Sequence, residues 1–407
     1  MNEYMKSQTT FLRLFAVMAS FLSSSFFCLA QEDYPADFNA DQLYFRKITS
    51  TDELTSDALY IIVTEDGQKG LYAAGTNNIK GANIETPLGY YQGEVCATDK
   101  PYEMAISRTG SKYVIQVIKK DGGYCWLASA SSTKLTLKTA EDNDTYWTIS
   151  FDEDGAILLC NIMHSDYTMC YLDANGAFGC RDLRVTSDTY QKIYLYRKES
   201  LIQISDKTDG FATFYNKDFI YSMPKGLEGY AVEEPNEENT TITTTLAYSA
   251  SHVVPKKMAL LIHGAAGTHR APIMYNNLTA YTATNYLEGT RDENENTSSA
   301  QSGSVEYFKL GLGASKDRVG FYWGADNGGP FKLTKAHTAY LALPTTNGTS
   351  YANGLSLHYN ETTGLQIFPK ISSPDFAKGL FDLSGRRLRQ APRPGIYIQD
   401  GKKIILK

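Results

Sequence analysis

No part of this 407-residue chain sustains a helical period, so a helical bundle is excluded. Beyond the first thirty residues no run is apolar enough to cross a bilayer, so no transmembrane span is expected in the mature chain. The six cysteines form no CxxC pair, and the ten-residue steps between Cys160, Cys170 and Cys180 match no zinc spacing. No Gly-x-x-x-x-Gly-Lys-[Ser/Thr] loop cradles a phosphate, and no Gly-x-Ser-x-Gly elbow presents a nucleophile. No cofactor, metal site or catalytic residue is therefore assigned. Basic charge is also scarce: Lys and Arg total 39 against 45 Asp and Glu, a net charge of −6. An acidic body is a poor partner for nucleic acid.

What the chain does have is aromatic and strand-forming. It holds 29 Tyr and 18 Phe, residue types that favour pleated surfaces. Almost every turn carries Gly, Asn or Asp. The expected class is all-β: a hairpin-rich barrel or trefoil-like domain over 41–199, an antiparallel β-sandwich over 201–363, a linker over 364–378 and a short β tail over 379–407. Residues 1–30, with Lys6 and Arg13 before an uncharged run ending Cys28-Leu29-Ala30, read as a secretory signal peptide cleaved near Ala30. Export places the protein outside the cell or on its surface.

In the first domain "ALYIIVTEDGQKGLYAAG", "SKYVIQVIKKDGGYCWLAS" and "YWTISFDEDGAILLCNI" each read as strand, Asp/Gly turn, strand. These units recur at regular spacing, and each is followed by a strand with an aromatic: Tyr72, Trp126, Tyr171. A threefold architecture follows. "QKIYLYRKES" closes the unit with a strand and charged residues. The mature cysteines are Cys96, Cys125, Cys160, Cys170 and Cys180, an odd count that leaves a free thiol. Cys160 and Cys170 flank a turn and could bridge, but small buried strand residues are the preferred expectation.

Candidate chemistry is sparse. "LIHGAAG" (Leu261–Gly267) has the look of an oxyanion-hole segment, yet without an elbow it reads as a plain hairpin turn. His263 and Ser315 are what a secreted hydrolase, an esterase or glycosidase in the second domain, would use. The acidic runs at Glu233-Glu234, Glu237-Glu238 and Asp292–Glu295 read as solvated loop charge. Tyr124, Trp126, Tyr322 and Trp323 are candidates for stacking on a sugar, with core packing as the competing role.

The terminal segment "GLFDLSGRRLRQAPRPGIYIQDGKKIILK" is basic where the body is acidic, and ends in a hairpin turning at Asp400-Gly401. Its "LFDLSGRRL" block, "PGIYIQ" strand and Gly-Lys-Lys before a last apolar strand resemble the C-terminal sorting domain of Bacteroidetes cargo of type IX secretion. Asp382, Gly385, Arg386, Arg387, Gly395, Tyr397, Gly401 and Lys402 carry the likeness. The body, through "YIIVTEDG", "WTISFDEDG", "GFATFYNKDF", "YFKLGLG" and "VGFYWGADNGG", resembles β-rich modules of Bacteroidetes surface proteins. The resemblance implies a secreted or surface protein whose tail meets the secretion machinery, and it brings no catalytic residue pattern; the body is therefore read as a non-enzymatic module that binds a glycan, a host component or an envelope protein.

Overall fold

The computed structural model describes residues 44–75, 78–83, 103–119, 123–184, 189–236, 238–275, 283–290, 305–313, 318–325, 328–331, 336–345, 351, 353–358, 365–367, 380–381, 395–399 and 402–406. Among them there is no α-helix; apart from four one-turn 3-10 segments, the regular structure is strand.

The first module is built from β1 (Tyr44–Ile48), β2 (Leu59–Thr64), β3 (Lys69–Gly75), β4 (Asn78–Asn83), β5 (Met104–Thr109), β6 (Lys112–Ile118), β7 (Tyr124–Ser131), β8 (Lys134–Lys138), β9 (Tyr146–Phe151), β10 (Ile157–Asn161), β11 (Thr168–Leu172), β12 (Ala177–Arg181) and the long β13 (Ile193–Ile204). Pairing runs β2·β5, β5·β6, β6·β9 and β9·β10; β10 packs beside β13, and β13 pairs back onto β2. That closes a six-stranded barrel. Besides β1, which pairs with β13 alongside the barrel, the remaining strands form three hairpins, β3·β4, β7·β8 and β11·β12, whose second strands touch one another over one end. The result is a threefold, trefoil-like module. Each barrel strand sends two side chains inward, as the period of two demands: Tyr60 and Ile62, Met104 and Ile106, Ile115 and Val117, Trp147 and Ile149, Ile157 and Leu159, Ile193 and Leu195. Tyr72, Trp126 and Tyr171 fall on the first strand of the three cap hairpins, as the sequence spacing implies. Tight turns at the opposite end use Gly110 and Gly155, whose φ of +63° and +76° suit glycine.

The four described cysteines are all free. Cys160 sits opposite Thr168, not Cys170, so the cross-strand bridge does not form. Burial pushes the Cys180 thiol up to about 12. Cys96 lies outside the described residues.

The second module comprises β14 (Phe211–Asn216), β15 (Ile220–Ser222), β16 (Leu227–Pro235), β17 (Thr241–Tyr248), β18 (Val253–Val254), β19 (Met258–Gly264), β20 (Gly267–Met274), β21 (Leu287–Gly289), β22 (Val305–Leu312), β23 (Val319–Trp323), β24 (Ala339–Pro344) and β25 (Gly354–His358). Nine of these form one sheet, β14-β19-β16-β17-β25-β23-β22-β24-β21, antiparallel except at β17·β25. The sheet curls until its ends meet: the Tyr215 N–H donates to the His337 carbonyl and the Ala339 N–H to the Thr213 hydroxyl, both at 3.1 Å. Its halves form a sandwich around Phe308, Phe321, Leu341, Leu261 and Val232.

β15, β18 and β20 leave this sheet and extend the barrel's, through β20·β13. A second apolar layer, including Ile61, Val63, Leu260, Ile262, Tyr221 and Ile273, fills the space between. β2 and β19 are thus buried on both faces, which explains their unbroken "LYIIV" and "MALLI" runs. The junction expected at 199–201 falls inside β13, which crosses it without a break.

Two expectations are corrected. "LIHGAAG" is not a hairpin turn: β19 and β20 belong to different sheets, and Ala265-Ala266 carries the chain from one to the other. Apolar surface on both sides of the crossing separates the strands more effectively than the glycines could pair them. Glu233 and Glu234 are also not loop charge; they lie in β16, where they accept from the Thr245 hydroxyl and, at 2.6 Å, from the Tyr286 hydroxyl.

The tail forms a four-stranded sheet from β26 (Leu365–Ile367), β27 (Leu380–Phe381), β28 (Gly395–Gln399) and β29 (Lys402–Leu406), in the order β26-β29-β28-β27. β28 pairs with β29 as the expected hairpin requires, with Gln399 opposite Lys402; Asp400 and Gly401 between them lie outside the described residues. β26, from the 364–378 stretch, adds a parallel fourth strand to it.

Candidate functional site

"RKES", Arg197 to Ser200, is four polar residues in the middle of β13, and all four are buried. The cause is position. Arg197 pairs with Tyr60, and it is the first inward residue past Leu195, so it sits where the barrel core ends. This is the end opposite the hairpin cap. Arg46 of β1 stands directly opposite Arg197, and Arg270 comes from β20. Like charges directly opposite destabilise a ladder. Glu199, wholly buried, resolves the conflict: it accepts from Arg197 Nε at 2.7 Å, Arg46 Nε at 3.2 Å and Arg270 Nη1 at 3.1 Å. Arg197 Nη1 donates to the Glu53 carbonyl at 2.6 Å and the Thr55 hydroxyl at 2.9 Å, while Arg46 Nη1 pairs with the Glu53 carboxylate. Burial works against the Arg46 charge, but Glu199 and Glu53 outweigh it, so the Arg46 pKa is raised.

Above this network opens a cleft of about 670 Å³. Its floor is Arg46, Arg197, Arg270 and Glu53. One wall is apolar, with Met223, Pro224, Val253 and Met274; Lys225 and Asp52 stand exposed at its edge.

The aromatic candidates divide. Tyr124, 40% exposed, stands edge-on to Trp126 with ring centroids 4.9 Å apart, and edge-on to Tyr275 at 5.9 Å. The Trp126 indole N–H is buried and has no hydrogen-bond partner among the described residues. Burial raises the Tyr275 pKa, and Tyr124 adds to the shift. Tyr275 directly follows Met274 of the cleft wall, and its N–H donates to the carbonyl of Asp57, another cleft residue, at 2.9 Å. Cleft and aromatic ledge therefore share one stretch of backbone.

Tyr322 and Trp323 lie elsewhere, on β23 of the curled sheet. Tyr322 covers Gly354, where an added Cβ would come within 2.3 Å of its ring, and its hydroxyl donates to the Arg318 carbonyl at 3.0 Å. Trp323, on the other face, packs against the sandwich core. The His263 ring stacks on Phe211 at 4.5 Å, and His269 Nε2 lies 2.8 Å from the Ala265 carbonyl. Ser315 and Asp292–Glu295 lie outside the described residues, as do Asp382, Gly385, Arg386, Arg387 and Gly401 of the tail. Gly395 and Tyr397 are in β28 and Lys402 in β29.

Sequence reasoning missed Arg46, Arg197, Glu199, Arg270 and Tyr275. One signal was present: a charged run inside the apolar β13 sequence "IYLYRKESLIQI". Polar residues flanked by strand on both sides must be paired if the strand is central.

No protein-family model and no curated protein matches the chain. Among solved structures, part of it is similar to the crystal structure of the lysenin pore and to the complex of lysenin with phosphocholine. Each has a TM-score of 0.26 and 10% identity over 37% of this chain, covering 47% and 46% of theirs. The chain thus spans under half the length of either, and so slight a likeness assigns it no ligand or activity. Among the described residues no helix is long and apolar enough to cross a membrane.

Proposed function

We propose that the chain is an exported, non-enzymatic binding protein of the cell surface or medium, that its body binds a glycan, and that its tail meets a secretion machinery. The observation that carries the glycan reading is the Tyr124–Trp126–Tyr275 ledge. The exposed Tyr124 ring beside the half-buried Trp126 indole offers a sugar a stacking face. Pockets of a few hundred Å³ with a few convergent polar groups suit small ligands, and the adjoining cleft has that form.

The test is a glycan array with the mature chain starting at Gln31. One or more glycans should bind, and Tyr124→Ala and Trp126→Ala should each weaken binding at least tenfold. A silent array, or binding that both variants leave intact, refutes the reading. For the tail, deleting 379–407 removes β29 and with it the partner of β26, while both large modules keep all their own strands. The truncated protein should stay folded and be stranded before the cell surface; unchanged surface delivery would sink the sorting role.

A further inference from the structure

The cleft holds more donors than its protein acceptors use. A guanidinium carries five N–H groups. Arg197 commits its own to Glu199, the Glu53 carbonyl and Thr55. Arg46 uses Nε on Glu199 and Nη1 on Glu53, and its Nη2 donates to no described group, although its side chain is 21% exposed. Lys225 adds an exposed ammonium at the rim without a partner among the described residues. An Arg with a free guanidinium nitrogen and a Lys lining the same cleft suit a carboxylate.

The cleft is not simply basic. Asp52, Glu53 and Asp57 also line it, and Glu199 lies behind the arginines. A bare anion would gain little from so balanced a field. Glu53 is held by Arg46 and by the Thr49 N–H at 2.9 Å, and Asp57 by the Ser107 hydroxyl. Asp52, exposed and without a described partner, is left to accept from a ligand, together with the exposed hydroxyls of Ser56 and Ser251. The ligand that matches all of these carries one carboxylate and several hydroxyls. Its C–H face would lie on the Met223, Pro224 and Met274 wall.

We infer that the cleft at the open end of the barrel is a subsite for a sugar acid, with Arg46 Nη2 and Lys225 reading its carboxylate and Asp52 its hydroxyls. The inference rests on the glycan reading above and names the class of glycan.

Calorimetric titration of the full mature chain with an oligogalacturonate and with the neutral galacto-oligosaccharide of equal length tests it. The acid should bind at least tenfold more tightly. Lys225→Glu, an exposed change, should erase most of that preference, and Arg46→Lys should reduce it by a smaller factor. Tyr124→Ala should weaken both sugars alike. Equal affinities for acid and neutral sugar, both lowered by Tyr124→Ala, would overturn the sugar-acid subsite and keep the glycan reading. A preference for the acid that survives Lys225→Glu and Arg46→Lys would overturn the assignment to this cleft. Binding of neither sugar overturns the sugar-acid inference, and the wider glycan reading then stands or falls on the array.

Discussion

The barrel and the curled sheet are both closed β structures, yet they close differently. In the first module, barrel and cap together, most hydrogen-bonded partners are neighbours in sequence: β5·β6, β7·β8, β9·β10 and β11·β12 are consecutive. In the curled sheet β14 pairs with β19, β17 with β25 and β22 with β24. Local pairing costs little loop entropy, while distant pairing must be repaid by burial. The barrel can thus be organised by its turns, but the sheet needs the apolar layers on its two sides. β13 joins the two regimes: its first half closes the barrel and its second half begins the extension through β20.

The largest effect should come from the hinge between the regimes. Glu199→Ala leaves three arginines facing each other without their carboxylate, and a loss of about 3–5 kcal/mol is expected. Chemical denaturation should report it as one transition, because β13 belongs to both modules; two separated transitions would break the idea of a shared unit.

Next come paired core deletions. Trp147→Ala empties the barrel, where the indole N–H donates to the Leu127 carbonyl at 3.0 Å, and should cost about 3–5 kcal/mol. Phe321→Ala should cost a similar amount in the sandwich core. Hydrogen exchange would sharpen the contrast. The Trp147 variant should lose protection first in the β7–β10 hairpins, and the Phe321 variant across the whole curled sheet. Leu260→Ala, in the layer between, should cost about 2–5 kcal/mol and lower protection on both sides.

Acid should give the smallest and most graded effect, mainly in the barrel. Burial alone would raise the pKa of Glu53 and Asp152, but Arg46 and Thr49 in one case, Lys192 and the Ala156 N–H in the other, hold both below the usual carboxylate range. With the folded pKa below the unfolded one, their stabilisation is complete above the ordinary carboxylate pKa. It is lost as pH falls through the depressed values. Tm measured from pH 7 to pH 3 should fall, and Glu53→Gln should flatten part of that slope. An unchanged slope would remove Glu53 from the account.

How far the sequence could be read follows the same division. Tyr72, Trp126 and Tyr171 marked the threefold repeat, and the turns after β2 and β9 were placed correctly, since a hairpin is specified by residues a few positions apart; but the turn after β9 joins two barrel strands at the end opposite the cap, so it is not the counterpart of the turn after β2. "LIHGAAG" misled for the opposite reason: whether β19 and β20 pair or part depends on residues such as Ile61 and Phe308, far away in the chain. The four aromatic candidates were chosen by type, but Tyr124 and Trp126 gain a third ring from Tyr275, which no spacing suggested.

By itself, then, the sequence determined an all-β chain, several of its hairpins and a basic β tail on an acidic body, because turn chemistry and strand alternation are local. Only the tertiary structure decided that β2 and β19 are covered on both faces and that Arg46, Arg197 and Arg270 converge on Glu199. It alone set an aromatic ledge beside their cleft. Those outcomes depend on which distant surfaces exclude water together, and burial of that kind is written in no single stretch of the chain.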